Sequence, residues 1–546
     1  MPVTTLGPMP ASNPENRPLF EGPLDPEHDA GASYALEPGY VSALTGRLIA
    51  TSGEASEVRS PIDGAPLAHI PQSSEADIVE AFTRARRAQE RWARTSYAER
   101  QRLLLRLHDL VLDRQDEILD LIVLESGKAR KHAFDEPLHI ALTARYYGRT
   151  LAQHLATERQ PGVFPGLTRV DVNHVPKGVV GVISPWNYPF TMALCDGLAA
   201  IAAGNAVVAK PDAQTMLSAL LAARLLDEAG FPADLWQVVA GPGPRVGGSL
   251  IEKADYICFT GSTATGMIVA RGCADRLIGC SLELGGKNPM LILADADIER
   301  AAEGAVRAVY SNGGQLCVSI ERMYVADAIY DRFVDRFVSR VEALSLGAGL
   351  SWDIDMGPLI SQAQVDTAEA HVTDAVSQGA RVLTGGRARP DLAPYFFEPT
   401  ILEGVTPDMT CFGNETFGPV VSLYRFHDEA DAVARANEGE YGLNASIYSQ
   451  DGQRARAIAR HVKAGTVNIN EAFGATFASL AAPMGGMRSS GMGRRQGREG
   501  LLRYTETQSV ATQRLLRIAP MLGMSDRAYA KTMTASLRLL KKLGRA

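Results

Sequence analysis

The chain has 546 residues, enough for two or three domains at roughly 100–200 residues each. With 46% hydrophobic and 21% charged residues it has a globular composition, and its 51 Gly and 30 Pro follow no period, which excludes collagen-like and low-complexity chains. A formal net charge of −7 argues against a nucleic-acid partner, and six cysteines without a CxxC pair argue against a disulfide framework or a zinc site and suit a reducing, cytoplasmic setting.

The first residues, MPVTTLGPMPASNPENRP, lack a basic start followed by an apolar run, so no signal peptide is expected. Eight prolines in the first 38 residues predict a loosely draped arm. From Ser74 the pattern becomes helical. Ser74 is the expected N-cap, Asp77 is the reciprocal partner of a capping box, and Ile78, Val79, Phe82, Ala85 and Ala88 form the apolar stripe. Helical spacing resumes at Ser96. The uncharged stretch 178–195 holds Pro185, Asn187 and Pro189 at its centre, so it reads as a buried strand and a loop rather than a membrane helix. AVVAK and YICFTGS are further short apolar runs, and the helical pattern 215–230 ends at Gly230. Strands alternating with helices imply a parallel sheet covered on both faces. A second α/β series begins near Asn288: MLILADA, a helix over 297–310, ERMYVAD, a helix over 328–344, VVSLYRF and GTVNIN. No tandem repeat is visible, so two different α/β units are expected.

Six segments occur in order: PWNYP (185–189), KPDAQT (210–215), FTGSTATG (259–266), ELGGKNP (283–289), GQLC (314–317) and ETFGPV (415–420). Together they resemble the aldehyde dehydrogenase superfamily over roughly residues 60–510, although any one of them alone would say little. The resemblance implies an α/β fold with a parallel-sheet dinucleotide-binding domain, an α/β catalytic domain and a small β oligomerisation extension. The implied boundaries are an N-terminal arm over 1–57, a cofactor-binding domain over 58–165 and 179–288, and a catalytic domain over 289–480. Oligomerisation elements would cover 166–178 and 481–512, and a basic tail 513–546.

Most free cysteines are buried structural thiols. Cys317 differs in following a turn-like Asn-Gly-Gly-Gln stretch on an irregular connection. The resemblance makes it the nucleophile that forms a thioester. Glu283 lies in an otherwise apolar run, where a carboxylate is costly to bury. The resemblance makes it the general base for thioester hydrolysis, and burial would move its pKa toward neutrality. Asn187 would be a turn former on its own merits. By resemblance its amide joins the Cys317 N–H as an oxyanion hole. For the cofactor there is no GxGxxG after the first strand. The looser Gly261/Gly266 spacing still places a helix N-terminus where backbone N–H groups can meet a pyrophosphate. The resemblance assigns Ser262 to phosphate, Lys210 to the adenosine ribose and Glu415 to the nicotinamide ribose. Phe417, Pro185, Trp186, Leu284 and Gly285 complete the cofactor set, and no metal is expected.

Two departures bear on specificity. NAD-specific relatives often carry Glu three residues after the lysine, where this chain has Ala213, so NADP is favoured over NAD. The overall pattern, including CVSIER and APMGGMRSSGMGRR, is most similar to actinobacterial-type succinate-semialdehyde dehydrogenases. Yet the two arginines that hold the substrate carboxylate in such enzymes correspond here to Cys195 and Ser311. Succinate semialdehyde is therefore the first expectation for the aldehyde, with medium or long aliphatic or aromatic aldehydes as the alternative. A homodimer or homotetramer is expected through a hairpin near 168–177 and a strand near 508–512. Residues 511–546 carry eight basic side chains against the single acid Asp526. Tyr529, Met533, Leu537, Leu540 and Leu543 recur there at helical spacing. Such a helix either packs on its own subunit or a neighbour, or makes weak contact with an anionic membrane surface.

Overall fold

The short apolar runs of the sequence become the strands of two sheets. A computed structural model of the chain describes residues 19–20, 34–163, 167–514, 518–521 and 523–544. The chain divides into two compact units, one of Met1–His154 with Pro176–Tyr504 and the other of Leu155–Val175 with Thr505–Ala546.

In the first unit, a six-stranded sheet runs in the order Gly491–Met492, Gly279–Glu283, Tyr256–Thr260, Val179–Ile183, Ala206–Lys210, Trp236–Val238. All neighbours are parallel except the two-residue edge strand Gly491–Met492. Every residue of Ala206–Lys210 is buried, as expected for a strand covered on both faces. From Val179–Ile183 the chain winds outward through Ala206–Lys210, then returns to Tyr256–Thr260 on the other side. The strand order therefore reverses between Val179–Ile183 and Tyr256–Thr260, and the crevice beyond their carboxyl ends is where such sheets bind ligands. The loop Ser184–Asn187 leaves one of these strands and Gly261–Ser262 leaves the other.

A seven-stranded sheet follows in the order Arg381–Thr384, Thr400–Glu403, Val420–Phe426, Ile320–Ala326, Asn288–Ile292, Asn444–Tyr448, Thr466–Ile469, antiparallel only at its first pair. Its core includes Leu291, Val325, Ile401 and Phe337, all at 1% exposure or less. Ser74 and Asp77 form the reciprocal capping box at the start of Glu75–Trp92. Asp297 caps Ile298–Tyr310 through the Glu299 and Arg300 amides. The helix expected over 328–344 is Tyr330–Glu342, because Asp327–Ile329 turns first as a 3-10 segment.

The arm departs from expectation where it is described. Leu19 and Phe20 are buried, Phe20 bridges to Leu36, and Pro38–Thr45 is a helix with Pro38 in its first turn. Proline's missing N–H costs nothing there, so proline content does not exclude a helix start. Residues 1–18 and 21–33, the rest of that predicted arm, lie outside the described residues. So do Arg517 and Arg545 of the tail.

The second unit holds a three-stranded sheet in the order Thr505–Gln513, Thr168–Pro176, Glu158–Pro161. A helix Asp526–Lys542, capped by Ser525, follows in the same unit, and none of its side chains is buried. Residues 481–504 belong to the first unit, where Gly491–Met492 extends the six-stranded sheet. Among the described residues no helix is long and apolar enough to cross a membrane.

Candidate active site

A cavity of about 280 Å³ opens at the switch point of the six-stranded sheet. Its wall includes Cys317, Glu283 and Asn187 together with Pro185, Trp186, Gly261, Ser262, Leu284, Gly285, Glu415 and Phe417. Lys210 and Gly266 stand outside that lining, at the end of one strand and in the first turns of the Thr263–Asp275 helix.

Cys317 precedes the strand Ile320–Ala326, after a turn that only Asn and Gly accept readily. Asn312, Gly313 and Gly314 have φ of 54°, 61° and 74°. A Cβ on Gly314 would come within 2.1 Å of the Gly418 carbonyl. The Cys317 carbonyl accepts a 2.8 Å hydrogen bond from Asn288. Burial pushes the thiol up to about 12, although the Arg495 guanidinium pulls it down. At neutral pH the resting sulfur therefore carries its proton.

Glu283 is the last residue of Gly279–Glu283 and is 7% exposed. Its Oε1 is buried without a hydrogen-bond partner. Burial raises its carboxyl to about 7, with Arg495 the strongest opposing influence. A buried acceptor with a pKa near neutrality is what activating a water or a thiol requires.

Asn187 is fixed mainly through its backbone. Its carbonyl accepts from Lys128 Nζ at 2.6 Å and from Asn312 Nδ2 at 3.0 Å. Lys128 is fully buried beside Glu136 at 2.7 Å, and its ammonium lies 3.8 Å from the centre of the Tyr188 ring. Glu136 in turn accepts the Thr191 amide at the start of Pro189–Ala202. The Asn187 side-chain amide donates to the Gln315 carbonyl at 3.0 Å, which occupies one of its two N–H groups.

The cofactor candidates fit a dinucleotide. Ser262, which lines the cavity, caps the Thr263–Asp275 helix by accepting the Thr265 amide. Gly266 packs closely on Leu284, since a Cβ there would lie 2.5 Å from the leucine's terminal methyl and require it to shift. Lys210 is 7% exposed, and burial lowers its pKa. Glu415 accepts the Gly286 amide at 2.8 Å, and its carboxyl rises to about 8 through burial and the nearby Glu321. Phe417 takes a φ of 52° and meets Trp186 edge-on, with ring centres 5.5 Å apart. A buried Lys287–Glu321 pair holds this loop, since Glu321 accepts the Thr416 and Phe417 amides at 2.9 and 3.0 Å.

The sequence reading missed Lys128, Glu136, Lys287, Glu321, Asp196 and Arg495. Asp196 and Glu321 are charges in apolar runs, and Lys287, Glu321 and Arg495 lie inside the quoted segments ELGGKNP, CVSIER and APMGGMRSSGMGRR, whereas Lys128 and Glu136 carry no such signal. Cys195 and Ser311, at the positions where arginines were sought, are both buried, and the Ser311 hydroxyl donates to the Arg307 carbonyl.

The aldehyde dehydrogenase family model matches residues 48–510. A Mycolicibacterium smegmatis protein provisionally named succinate-semialdehyde dehydrogenase [NADP(+)] is 49% identical over 480 residues, covering 88% of this chain and 93% of that protein. Glutarate-semialdehyde dehydrogenase of Pseudomonas aeruginosa is 36% identical, covering 84% of this chain and 94% of its own. The crystal structure of succinate-semialdehyde dehydrogenase from Burkholderia pseudomallei superimposes with a TM-score of 0.81 at 34% identity, covering 85% of this chain and 95% of that one.

Proposed function

The chain belongs to the aldehyde dehydrogenase family, and from that premise we propose that it oxidises succinate semialdehyde to succinate with NADP through a thioester on Cys317. The observation that carries this reading is the convergence of Cys317, Glu283 and Asn187 on one mainly apolar cavity. The names of its relatives supply the substrate and the preference for NADP.

Each residue has a role that follows from its surroundings. Cys317 gives its proton to Glu283 and adds to the aldehyde carbon, forming a tetrahedral oxyanion. The free Asn187 N–H and the Cys317 amide stabilise that charge. A nicotinamide held by Glu415, Phe417 and Trp186 would contribute hydride acceptance, which leaves the thioester. Once the proton from Cys317 has passed to solvent, the Glu283 carboxylate takes a proton from water, whose oxygen attacks the thioester, and returns it to the Cys317 sulfur as the acid leaves. Lys210 and Ser262 would bind the adenosine ribose and a phosphate.

A second reading, a dehydrogenase for longer aliphatic or aromatic aldehydes, is favoured by the apolar wall of Met192, Leu316, Val318, Phe477 and Met484. A panel of succinate semialdehyde, butanal and octanal separates the two by kcat/KM with NADP. The highest value on succinate semialdehyde supports the first reading, and the highest value on octanal replaces it with the second. No reduction of NADP by any of them would sink both. We also assign to this protein a cytoplasmic setting, which suits its six free thiols, a homodimeric or homotetrameric assembly, and weak contact of its tail with anionic membranes.

A further inference from the structure

Three buried charges meet behind the cavity. Asp196, on Pro189–Ala202, accepts from Arg495 Nε at 3.1 Å and Nη2 at 2.8 Å, and from Arg503 Nη2 at 2.5 Å. Arg495 and Asp196 are 7% and 4% exposed, and the Arg503 side chain is 9% exposed. Two guanidiniums share one carboxylate, so the cluster carries one unbalanced positive charge. A buried cation without its counter-ion is strongly disfavoured.

Arg495 directs that charge at the site. Its Nε and Nη2 are spoken for by Asp196 and by Thr260 Oγ1 at 3.0 Å, whereas Nη1 meets only the soft Met192 sulfur at 3.7 Å. Arg495 lines the same cavity as Cys317 and Glu283. The Glu283 carboxylate has a buried oxygen with no partner, so it is free to exchange a proton.

We propose that Arg495, held in place by Asp196, is the positioning residue that supplies a fixed countercharge shared by Glu283 and Cys317 while a proton passes between them. The inference rests on the reading of Cys317 as nucleophile. In the exchange the S–H bond breaks and a carboxyl O–H forms, so one negative charge moves from Glu283 oxygen to Cys317 sulfur. The unbalanced cation is neutralised before and after, and neither state leaves it alone.

Other charges surround the pair. Arg494 and Arg503 also favour the Glu283 anion, and Asp196 opposes it. Beside Cys317, Glu283 and Glu415 oppose the thiolate. His139 faces Arg495 and Asp196 but burial lowers its pKa to about 3, so it adds no charge at neutral pH.

The test measures alkylation of the full-length, cofactor-free protein by iodoacetamide across pH, with the modified cysteine mapped by mass spectrometry. At a fixed pH between about 7 and 9, Arg495→Gln should slow alkylation of Cys317 by about tenfold or more, since a nearby opposite charge is worth about 1–3 pKa units. Asp196→Asn leaves two guanidiniums unopposed and should speed it, and Arg495→Lys should restore most of the wild-type rate. Changes of Arg495→Gln and Asp196→Asn in the same direction, or no change in either folded variant, would overturn the placement of Arg495 alone. Should iodoacetamide spare Cys317 in the wild type while labelling other thiols, the nucleophile assignment falls and the inference with it. Thermal melts of each variant establish that it is folded, and Asp196→Asn carries the test if Arg495→Gln is not.

Discussion

Cys317, whose thiol is pushed up to about 12, and Glu283, whose carboxyl is pushed up to about 7, line one cavity, so on the proposed mechanism reactivity should follow proton exchange between them. The sign follows from the role. Glu283 can accept a proton only as the carboxylate, so turnover should rise as pH passes upward through about 7 and fall below it. Cys317→Ala should abolish aldehyde oxidation while cofactor binding, measured by fluorescence titration, persists. Glu283→Gln should slow thioester hydrolysis by about 10²–10⁴-fold and erase the limb of the pH profile near neutrality. In rapid-mixing experiments that variant should show a burst of reduced cofactor followed by slow turnover. A persisting limb with no burst would remove Glu283 from the base role. The residues in these roles were legible because each sits inside a short motif. Their supports were not. Lys128 reaches Asn187 across 59 residues of sequence and Glu321 reaches the Phe417 loop across 96. Nothing local to either charge says which distant backbone it will hold.

Among elements, the strand order reverses between Val179–Ile183 and Tyr256–Thr260, and on the proposed reading the crevice there holds the cofactor. Strands were readable because apolar runs such as AVVAK and VVSLYRF end at polar or turn residues, and both coincide with observed strands. Less readable were the antiparallel edges. Arg381–Thr384 is half-exposed and Gly491–Met492 is two residues long, so neither shows an apolar run. The Pro38–Thr45 helix escaped notice because proline content was weighed without its position, and in a first turn proline is tolerated. The stretch after Ala206–Lys210 carries the next prediction. Asp212 caps the short turn Ala213–Thr215 by accepting the Gln214 amide, so its carboxylate is already engaged. Ala213 beside it carries no carboxylate to repel the 2′-phosphate that the proposed reading places near Lys210. Ala213→Glu should lower the ratio of kcat/KM for NADP over NAD by about tenfold or more, equivalent to about 1.4 kcal/mol of added repulsion. An unchanged ratio would mean that the ribose lies elsewhere.

For the molecule as a whole, the second unit is where assembly and surface contact are expected. Thr505–Gln513 is an outer strand of the three-stranded sheet and eight of its nine residues are exposed. An edge of that length invites pairing, which suits a second copy of the chain. A monomer by light scattering would argue against that assembly. The tail is the sharper case. Asp526–Lys542 presents Arg527, Lys531, Arg538, Lys541 and Lys542 against the single acid Asp526, and Leu537, Leu539 and Leu543 are 62%, 58% and 62% exposed. Exposed leucines interleaved with lysines match a helix lying in a lipid interface, where each basic residue near an anionic surface contributes about 1 kcal/mol. Those contributions are screened within roughly 8 Å at physiological ionic strength, so binding should weaken steeply with salt. In co-sedimentation with phosphatidylserine vesicles, the full-length protein should pellet at low salt and be released at high salt. The triple variant Lys531→Glu, Lys541→Glu, Lys542→Glu should stay in the supernatant in both conditions while keeping its aldehyde activity. Equal recovery of the two proteins with the vesicles would rule out the lipid contact and leave the helix to pack against protein, its own or a neighbouring subunit's.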